Sequence, residues 1–168
     1  NIDNIKSIYC GEEYTIILKN DSTLWGCGVN SYGQLGLGDK SSRNIFTKIT
    51  DDVKLVNCGY FHTLILKNDG TLWGSGKNNN GELGLGDTTD RTTFTKITAN
   101  ADNVKSIYCG GYNTIILKND GMLCGCGWNG YGQLGLEDIT SRNILTTINT
   151  NPGNIKSICC GDSYTIIL

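Results

Sequence analysis

With 168 residues, 18% of them charged, and a net charge of −2, the chain has no basic field to attract a phosphate backbone, which argues against nucleic acid as a partner. No apolar run approaches the ~20 residues that span a bilayer, and the start lacks the basic region and apolar stretch of a secretory signal, so no membrane role is expected. Twenty-three glycines against one proline point to many tight turns and few long helices.

Read from its start, the chain presents Ile5 to Ile8 as a short apolar segment closed by Cys10-Gly11, then Thr15 to Leu18 as a strand. Asn20-Asp21-Ser22 separates that strand from Leu24-Trp25, which is a hairpin signal. A glycine-rich stretch follows, with Leu35 and Leu37 alternating among Gly33, Gly36 and Gly38, and Phe46 to Ile49 closes the unit. The same order then returns: Leu55 to Cys58, Thr63 to Lys67, Thr71 to Trp73 and Phe94 to Ile97, and again with Thr114 to Leu117 and Leu145 to Ile148. The pairs Cys10-Gly11, Cys58-Gly59, Cys109-Gly110 and Cys160-Gly161 mark the register at spacings of 48, 51 and 51 residues. In the second and third units the hairpin turn ends in Gly70 and Gly121, as a type I turn followed by a left-handed residue requires. Ser22 holds that place in the first unit, at an expected cost of about 1 kcal/mol if the conformation is kept.

Four short strands in a period of about 50 residues is the pattern of a propeller blade, in which one unit cannot bury its apolar face alone. The expected fold is therefore all-β, with blades of four antiparallel strands, in a partial propeller of about three blades plus a partial fourth. The units run over about 5–52, 53–103, 104–154 and, in part, 155–168. Because the chain stops at Leu168 inside an apolar triplet, it reads as a fragment of a longer array, with self-association through exposed blade edges favoured over an open arc.

The run Cys58-Gly59-Tyr60-Phe61-His62-Thr63-Leu64, then Asn68-Asp69-Gly70, Trp73-Gly74 and Gly81-Glu82-Leu83-Gly84-Leu85-Gly86-Asp87, resembles the repeat of the regulator of chromosome condensation (RCC1) family, and all three complete units carry it. The resemblance implies a propeller of about seven four-stranded blades. It also implies a choice of uses: a protein-interaction scaffold, guanine-nucleotide exchange on a small GTPase, or inhibition of an enzyme by a propeller face. Exchange in the family depends on an inserted blade element, and no unit here has one; the first is three residues shorter, at Asp51-Asp52.

Residues that recur in every unit belong first to the fold. Asp39, Asp87 and Asp138, each four residues before Arg43, Arg91 and Arg142, read as an ion pair or loop clamp inside each blade. His62 stands where the other units have Tyr14, Asn113 and Tyr164, so it reads as a structural hydrogen-bonding side chain. The eight cysteines lack zinc-knuckle spacing and read as small buried hydrophobes, with no disulfide, metal or cofactor expected. Unpaired thiols point to a reducing, cytoplasmic compartment, and the abundance of Asn, Ile and Lys to an AT-rich bacterial genome.

Function is sought where units differ. One variable stretch follows each Cys-Gly and another follows the second glycine of the Trp-Gly segment, taking in Val29 to Tyr32, Lys77 to Asn80 and Trp128 to Tyr131. Both lie in loops. Their unpatterned aromatics, Tyr32, Tyr60, Phe61, Tyr112, Trp128 and Tyr131, suit a surface that recognises a partner protein; the alternative is packing against the neighbouring blade. No nucleophile-type serine turn is visible, so a non-catalytic scaffold is the leading expectation, with exchange or enzyme inhibition behind it and carbohydrate binding as a further fit to the aromatics and asparagines.

Overall fold

In the computed structural model, which describes residues 3–148 and 155–168, every regular element is a strand. The first blade contains β1 (Ile5–Cys10), β2 (Tyr14–Lys19), β3 (Leu24–Gly28) and β4 (Arg43–Thr50). The second contains β5 (Val53–Cys58), β6 (His62–Lys67), β7 (Leu72–Gly76) and β8 (Arg91–Ile97). The third contains β9 (Val104–Cys109), β10 (Asn113–Lys118), β11 (Leu123–Gly127) and β12 (Arg142–Ile148), and a two-stranded piece, β13 (Ile158–Cys160) and β14 (Thr165–Ile167), begins a fourth. Within each blade the strands pair antiparallel in chain order. The first strands β1, β5, β9 and β13 adjoin one another from blade to blade. The expected end of the third unit, at 154, lies outside the described residues.

The outer strands are longer than the apolar segments Phe46 to Ile49 and Phe94 to Ile97. Each begins at an arginine because Gly28, Gly76 and Gly127 pair with Arg43, Arg91 and Arg142 past a shift in register. In the three four-stranded blades the apolar triplet of the second strand is buried on both sides, which explains why it does not alternate with polar residues. Ile16 and Leu18 pack with Val53, Val56 and Ile65 of the second blade, while Leu64 and Leu66 face the other way, onto Ile107 and Ile116 of the third. Trp25 and Trp73 have the same surroundings, with the lysine of the preceding strand over the ring at 4.7 and 4.9 Å and a threonine accepting from Nε1 at 2.9 and 2.7 Å. In the third unit Cys124 replaces the ring, and Lys118 turns to Asp102 at 3.0 Å. Ser22 does keep the left-handed conformation, with φ 65° against 83° and 87° at Gly70 and Gly121, and Glu137 does the same at 61° where its counterparts are Gly38 and Gly86.

A second set of contacts fixes the blades to each other. The Tyr14 hydroxyl crosses into the second blade, 2.6 Å from the His62 carbonyl and 3.2 Å from that of Gly59, with the Thr63 hydroxyl 3.0 Å away. One blade on, His62 repeats the reach: its Nε2 lies 3.2 Å from Thr114 Oγ1, which itself donates to the Glu82 carbonyl at 2.8 Å. Since Thr114 has committed its proton, the imidazole donates through Nε2–H. These rings pass over the Cys-Gly glycines, where a Cβ at Gly11 or Gly59 would collide with Tyr14 or His62. Asn113 is too short to continue the series; both its amide atoms are buried without a partner.

The cysteine expectation needs correction. Cys124 and Cys126 are buried, but Cys10 and Cys159 are exposed and the other four are half-buried. Cys10, Cys58, Cys109 and Cys160 lie on the first strands and, with the glycines after them, line a hollow of about 230 Å³. All eight thiols are free, and burial raises Cys58 to about 12 and Cys160 to about 11.

Burial, helped by the nearby Lys77 charge, lowers His62 from 6.5 to about 3. A folded-state value below the unfolded one means that His62 contributes fully above pH 6.5 and that its contribution is lost as pH falls below it. Between pH 7 and pH 5 the protein should therefore lose roughly 2 kcal/mol through this group. Replacing it with the third unit's residue, His62→Asn, should flatten that dependence. Urea titrations at both pH values check it, and equal slopes in the two proteins would contradict it.

Candidate functional site

The loops that follow β1, β5 and β9 and those that follow β3, β7 and β11 emerge at one end of the blades, opposite the β2–β3, β6–β7 and β10–β11 hairpin turns. The second group is held in shape by a buried asparagine in each unit. Asn78 Oδ1 accepts from the Leu83 amide at 2.9 Å, and its Nδ2 donates to the carbonyls of Asp87 and Thr89 at 3.0 and 3.1 Å. Asn30 and Asn129 accept from Leu35 and Leu134 at the same distance. Asp39, Asp87 and Asp138 then pair with Arg43, Arg91 and Arg142 at 2.7, 2.5 and 2.5 Å, the clamp inside each blade that their spacing implies. Those arginines hold the three carboxyls below the usual aspartate value. Pairs this exposed contribute little stability and serve to fix the loop. The far side of the first and second of these loops seats on the next blade, where Gly38 and Gly86 donate to the carbonyls of Thr92 and Asn143 at 2.8 Å.

On this frame the six aromatics form one chain. Ring centroids are 5.1 Å apart for Tyr32 and Phe61, 6.3 Å for Phe61 and Tyr60, and 5.4 Å for Tyr60 and Tyr112. The chain continues at 6.3 Å to Trp128 and 5.0 Å to Tyr131. Most contacts are edge-to-face, a geometry worth about 0.5–1.5 kcal/mol per pair beyond area burial. Contacts between the Tyr32, Phe61 and Tyr60, Tyr112 rings cross blade boundaries, so these four rings pack against the neighbouring blade. Five are half-buried, and Tyr131 is 74% exposed. Beneath them the backbone is tied around the axis, Glu12 donating to the Tyr60 carbonyl at 3.2 Å, Tyr60 to Gly111 at 3.2 Å and Gly111 to Gly161 at 3.3 Å.

Two features of this surface escape a reading of the aromatics alone. The asparagines Asn30, Asn78 and Asn129 sit inside stretches that otherwise vary, yet they are clasps; their identity in all three units is the signal. Lys77 is the other. Its ammonium lies 4.7, 5.2 and 5.5 Å from the centroids of Tyr112, Tyr32 and Phe61, at the middle of the chain of rings. On the axial flank stand Glu12 and Asp162, whose charges add to burial in raising the Tyr60 and Tyr112 phenols. A larger hollow of about 580 Å³ opens at the opposite end, where Lys54 and Lys96 are matched by Asp69 and Asp102, so it presents no excess of either sign. Among the described residues no three metal-ligating side chains converge.

Two sequence signatures, both described as the regulator of chromosome condensation (RCC1) repeat, match the chain, one over residues 5–34, 53–82 and 104–133 and the other over 21–66, 69–117 and 120–168. The ultraviolet-B receptor UVR8 of Arabidopsis thaliana is 36% identical over 163 residues, 96% of this chain and 26% of its own length. The human X-linked retinitis pigmentosa GTPase regulator is 36% identical over 161 residues, 95% of this chain and 11% of its own. The chain thus spans about a quarter or less of the curated relatives it matches. Among solved structures, human WBSCR16 superposes with a TM-score of 0.86 at 22% identity, covering 98% of this chain and 44% of that one. Prp20p from Saccharomyces cerevisiae gives 0.85 at 23%, covering 98% and 43%. These two likenesses speak to the fold.

If Asn78 is the clasp, Asn78→Ala strands the Leu83 amide and two carbonyls in a buried site. It should cost about 2–3 kcal/mol. Chemical denaturation measures this, and a loss below about 0.5 kcal/mol, typical of a neutral surface change, would contradict it.

Proposed function

The chain belongs to the regulator of chromosome condensation (RCC1) repeat family, and from that premise we propose that it is a non-catalytic β-propeller scaffold that recognises a partner protein through its chain of aromatic rings. The single observation that carries this reading is continuity. Six aromatics from loops that differ between units meet in one unbroken run across three blades. No unit needs such a run to form its strands, turns or clasps, and no aromatic of the run is repeated in all three units. Tyrosine, tryptophan and phenylalanine are also the residues that interface centres concentrate. Their support is rigid: the loops of Tyr32, Trp128 and Tyr131 are clasped by a buried asparagine and those of Tyr60, Phe61 and Tyr112 are tied by backbone hydrogen bonds, so little ordering entropy is lost when a partner docks.

Protein partners accord with the relatives. Prp20p is described for its binding to Gsp1p and histones, and yeast RCC1 in a complex with Kap60. A second reading, nucleotide exchange on a small GTPase, draws support from the relative named a GTPase regulator. The two separate in one experiment. The wild-type chain and the double variant Tyr60→Ala/Phe61→Ala, matched for folding by circular dichroism, are compared in quantitative affinity capture. The scaffold reading expects a discrete set of proteins to be lost from the variant. A GTPase in that set whose nucleotide release is accelerated by the wild type would favour exchange, and identical capture by both proteins would overturn the role of the rings.

A further inference from the structure

Three of the positions at which the middle unit departs from both neighbours meet in one place. Lys77 stands where the other units have Val29 and Trp128. Asn80 stands where they have Tyr32 and Tyr131, and Glu82 where they have Gln34 and Gln133. In the flanking units the glutamine Oε1 accepts from the tyrosine amide at 3.0 Å, and its Nε2 is left without a partner. In the middle unit Glu82 is fully buried; one carboxylate oxygen accepts from the Asn80 amide at 2.8 Å and the other from the Asn80 side chain at 2.9 Å. The change from glutamine to glutamate is matched to the change from tyrosine to asparagine, since only the acid offers Asn80 Nδ2 a second acceptor.

The consequence is a gap in the aromatic surface. Without a ring at position 80, a hollow of about 290 Å³ opens, lined by Lys77, Asn79, Asn80, Tyr112 and Trp128. Tyr112 and Trp128 form its walls at an interplanar angle of 89°. Among the described residues Lys77 takes part in no ion pair, although six other lysines and arginines do. Three rings hold its ammonium in place, and they satisfy no N–H donor of it with an oxygen. The Asn79 amide beside it donates to no acceptor among the described residues, its Oδ1 being used by Asn80 at 3.2 Å.

We propose that this hollow is a receptor for a carboxylate side chain, taking an aspartate or glutamate flanked by apolar residues on the partner protein. The proposal rests on the reading of the aromatic run as a recognition surface and names the chemistry of what it recognises. Donors converge there from Lys77 and Asn79, and the methylenes of an acidic side chain have Trp128 and Tyr112 to lie against. Register follows from sign. Glu12 and Asp162 make the axial flank of Tyr112 negative, so an acidic residue is attracted at the hollow and repelled a few ångströms inward. Asn80, locked by a buried carboxylate, keeps the hollow open in the free protein, which lowers the entropic cost of binding.

The test uses three capped peptides that differ in one side chain: acetyl-Phe-Glu-Leu-amide, its glutamine counterpart and its lysine counterpart. Binding is followed by the indole N–H signals of the three tryptophans, with Trp128→Phe giving the assignment. The glutamate peptide should shift the Trp128 signal and bind roughly fivefold more tightly than the other two, with the preference removed by 1 M salt. Lys77→Met, which keeps the apolar stem, should abolish the preference. Equal binding of the glutamate and glutamine peptides, tighter binding of the lysine peptide, no binding up to millimolar concentration, or a Trp128 response to cellotetraose alone would each overturn the proposal. In affinity capture, Lys77→Met retaining everything that Tyr60→Ala/Phe61→Ala loses would sink the carboxylate site and leave the recognition surface standing. If Tyr60→Ala/Phe61→Ala loses nothing, the surface itself fails.

Discussion

Each of the first two blades is fastened to the next by the side chain that opens its second strand. Tyr14 and His62 reach across a blade boundary to a backbone carbonyl or a threonine hydroxyl, and almost everything else about the arrangement follows from that reach. The ring must pass close over the Cys-Gly turn, so Gly11 and Gly59 have no room for a side chain, and at Gly110 the Asn113 amide fills the same space. The threonine that follows must face back toward the preceding blade, where the Thr63 hydroxyl lies 2.8 Å from the Gln34 carbonyl and Thr114 donates to Glu82 at the same distance. Those carbonyls belong to the glycine-rich loops, so one small network sets both the spacing of blades and the seating of loops. Apolar burial on either side supplies most of the driving force, but a greasy interface can slide. Directional bonds to buried partners cannot do so without leaving a polar group unpaired.

The architecture was legible in the letters because it is written three times. Repetition exposed the hairpin turns, the strand order and the aspartate–arginine clamp, and even an irregularity such as Ser22 could be read against its neighbours. What escaped was whatever depends on distance between units. That the four Cys-Gly cysteines share one wall follows from the adjacency of first strands, which no single unit reveals. That Asn78 is a clasp and Asn79 is not follows from burial, and both sit in the same variable stretch. The aromatic residues could be named one by one, but whether they meet could not be judged, because their contacts cross blade boundaries whose geometry the sequence leaves open. Lys77 was hidden for the opposite reason: a lone charge in a loop carries no signal until three rings are found around it.

A repeating frame with a non-repeating rim separates positions that hold the blades from positions that are free to differ. Positions that hold the blades are fixed by hydrogen bonds and close approaches, and there a change is costly. Loop residues above them are free to differ, and in the middle unit three differences fall together to make a polar hollow inside an apolar surface. Such coincidence has a physical logic, since Asn80 in place of a tyrosine would leave an amide unsatisfied unless the residue below it changed as well.

The most direct test of the account is a double-mutant cycle on the first boundary, Tyr14→Phe with Thr63→Val, read by equilibrium unfolding. If the crossing hydroxyl and its threonine form one network, the two losses should fall short of adding by about 1 kcal/mol, because either change alone already breaks it. Strict additivity, with each variant losing only what its own atoms bury, would mean that the blades are held by apolar contact alone and that the hydrogen-bonded register is incidental.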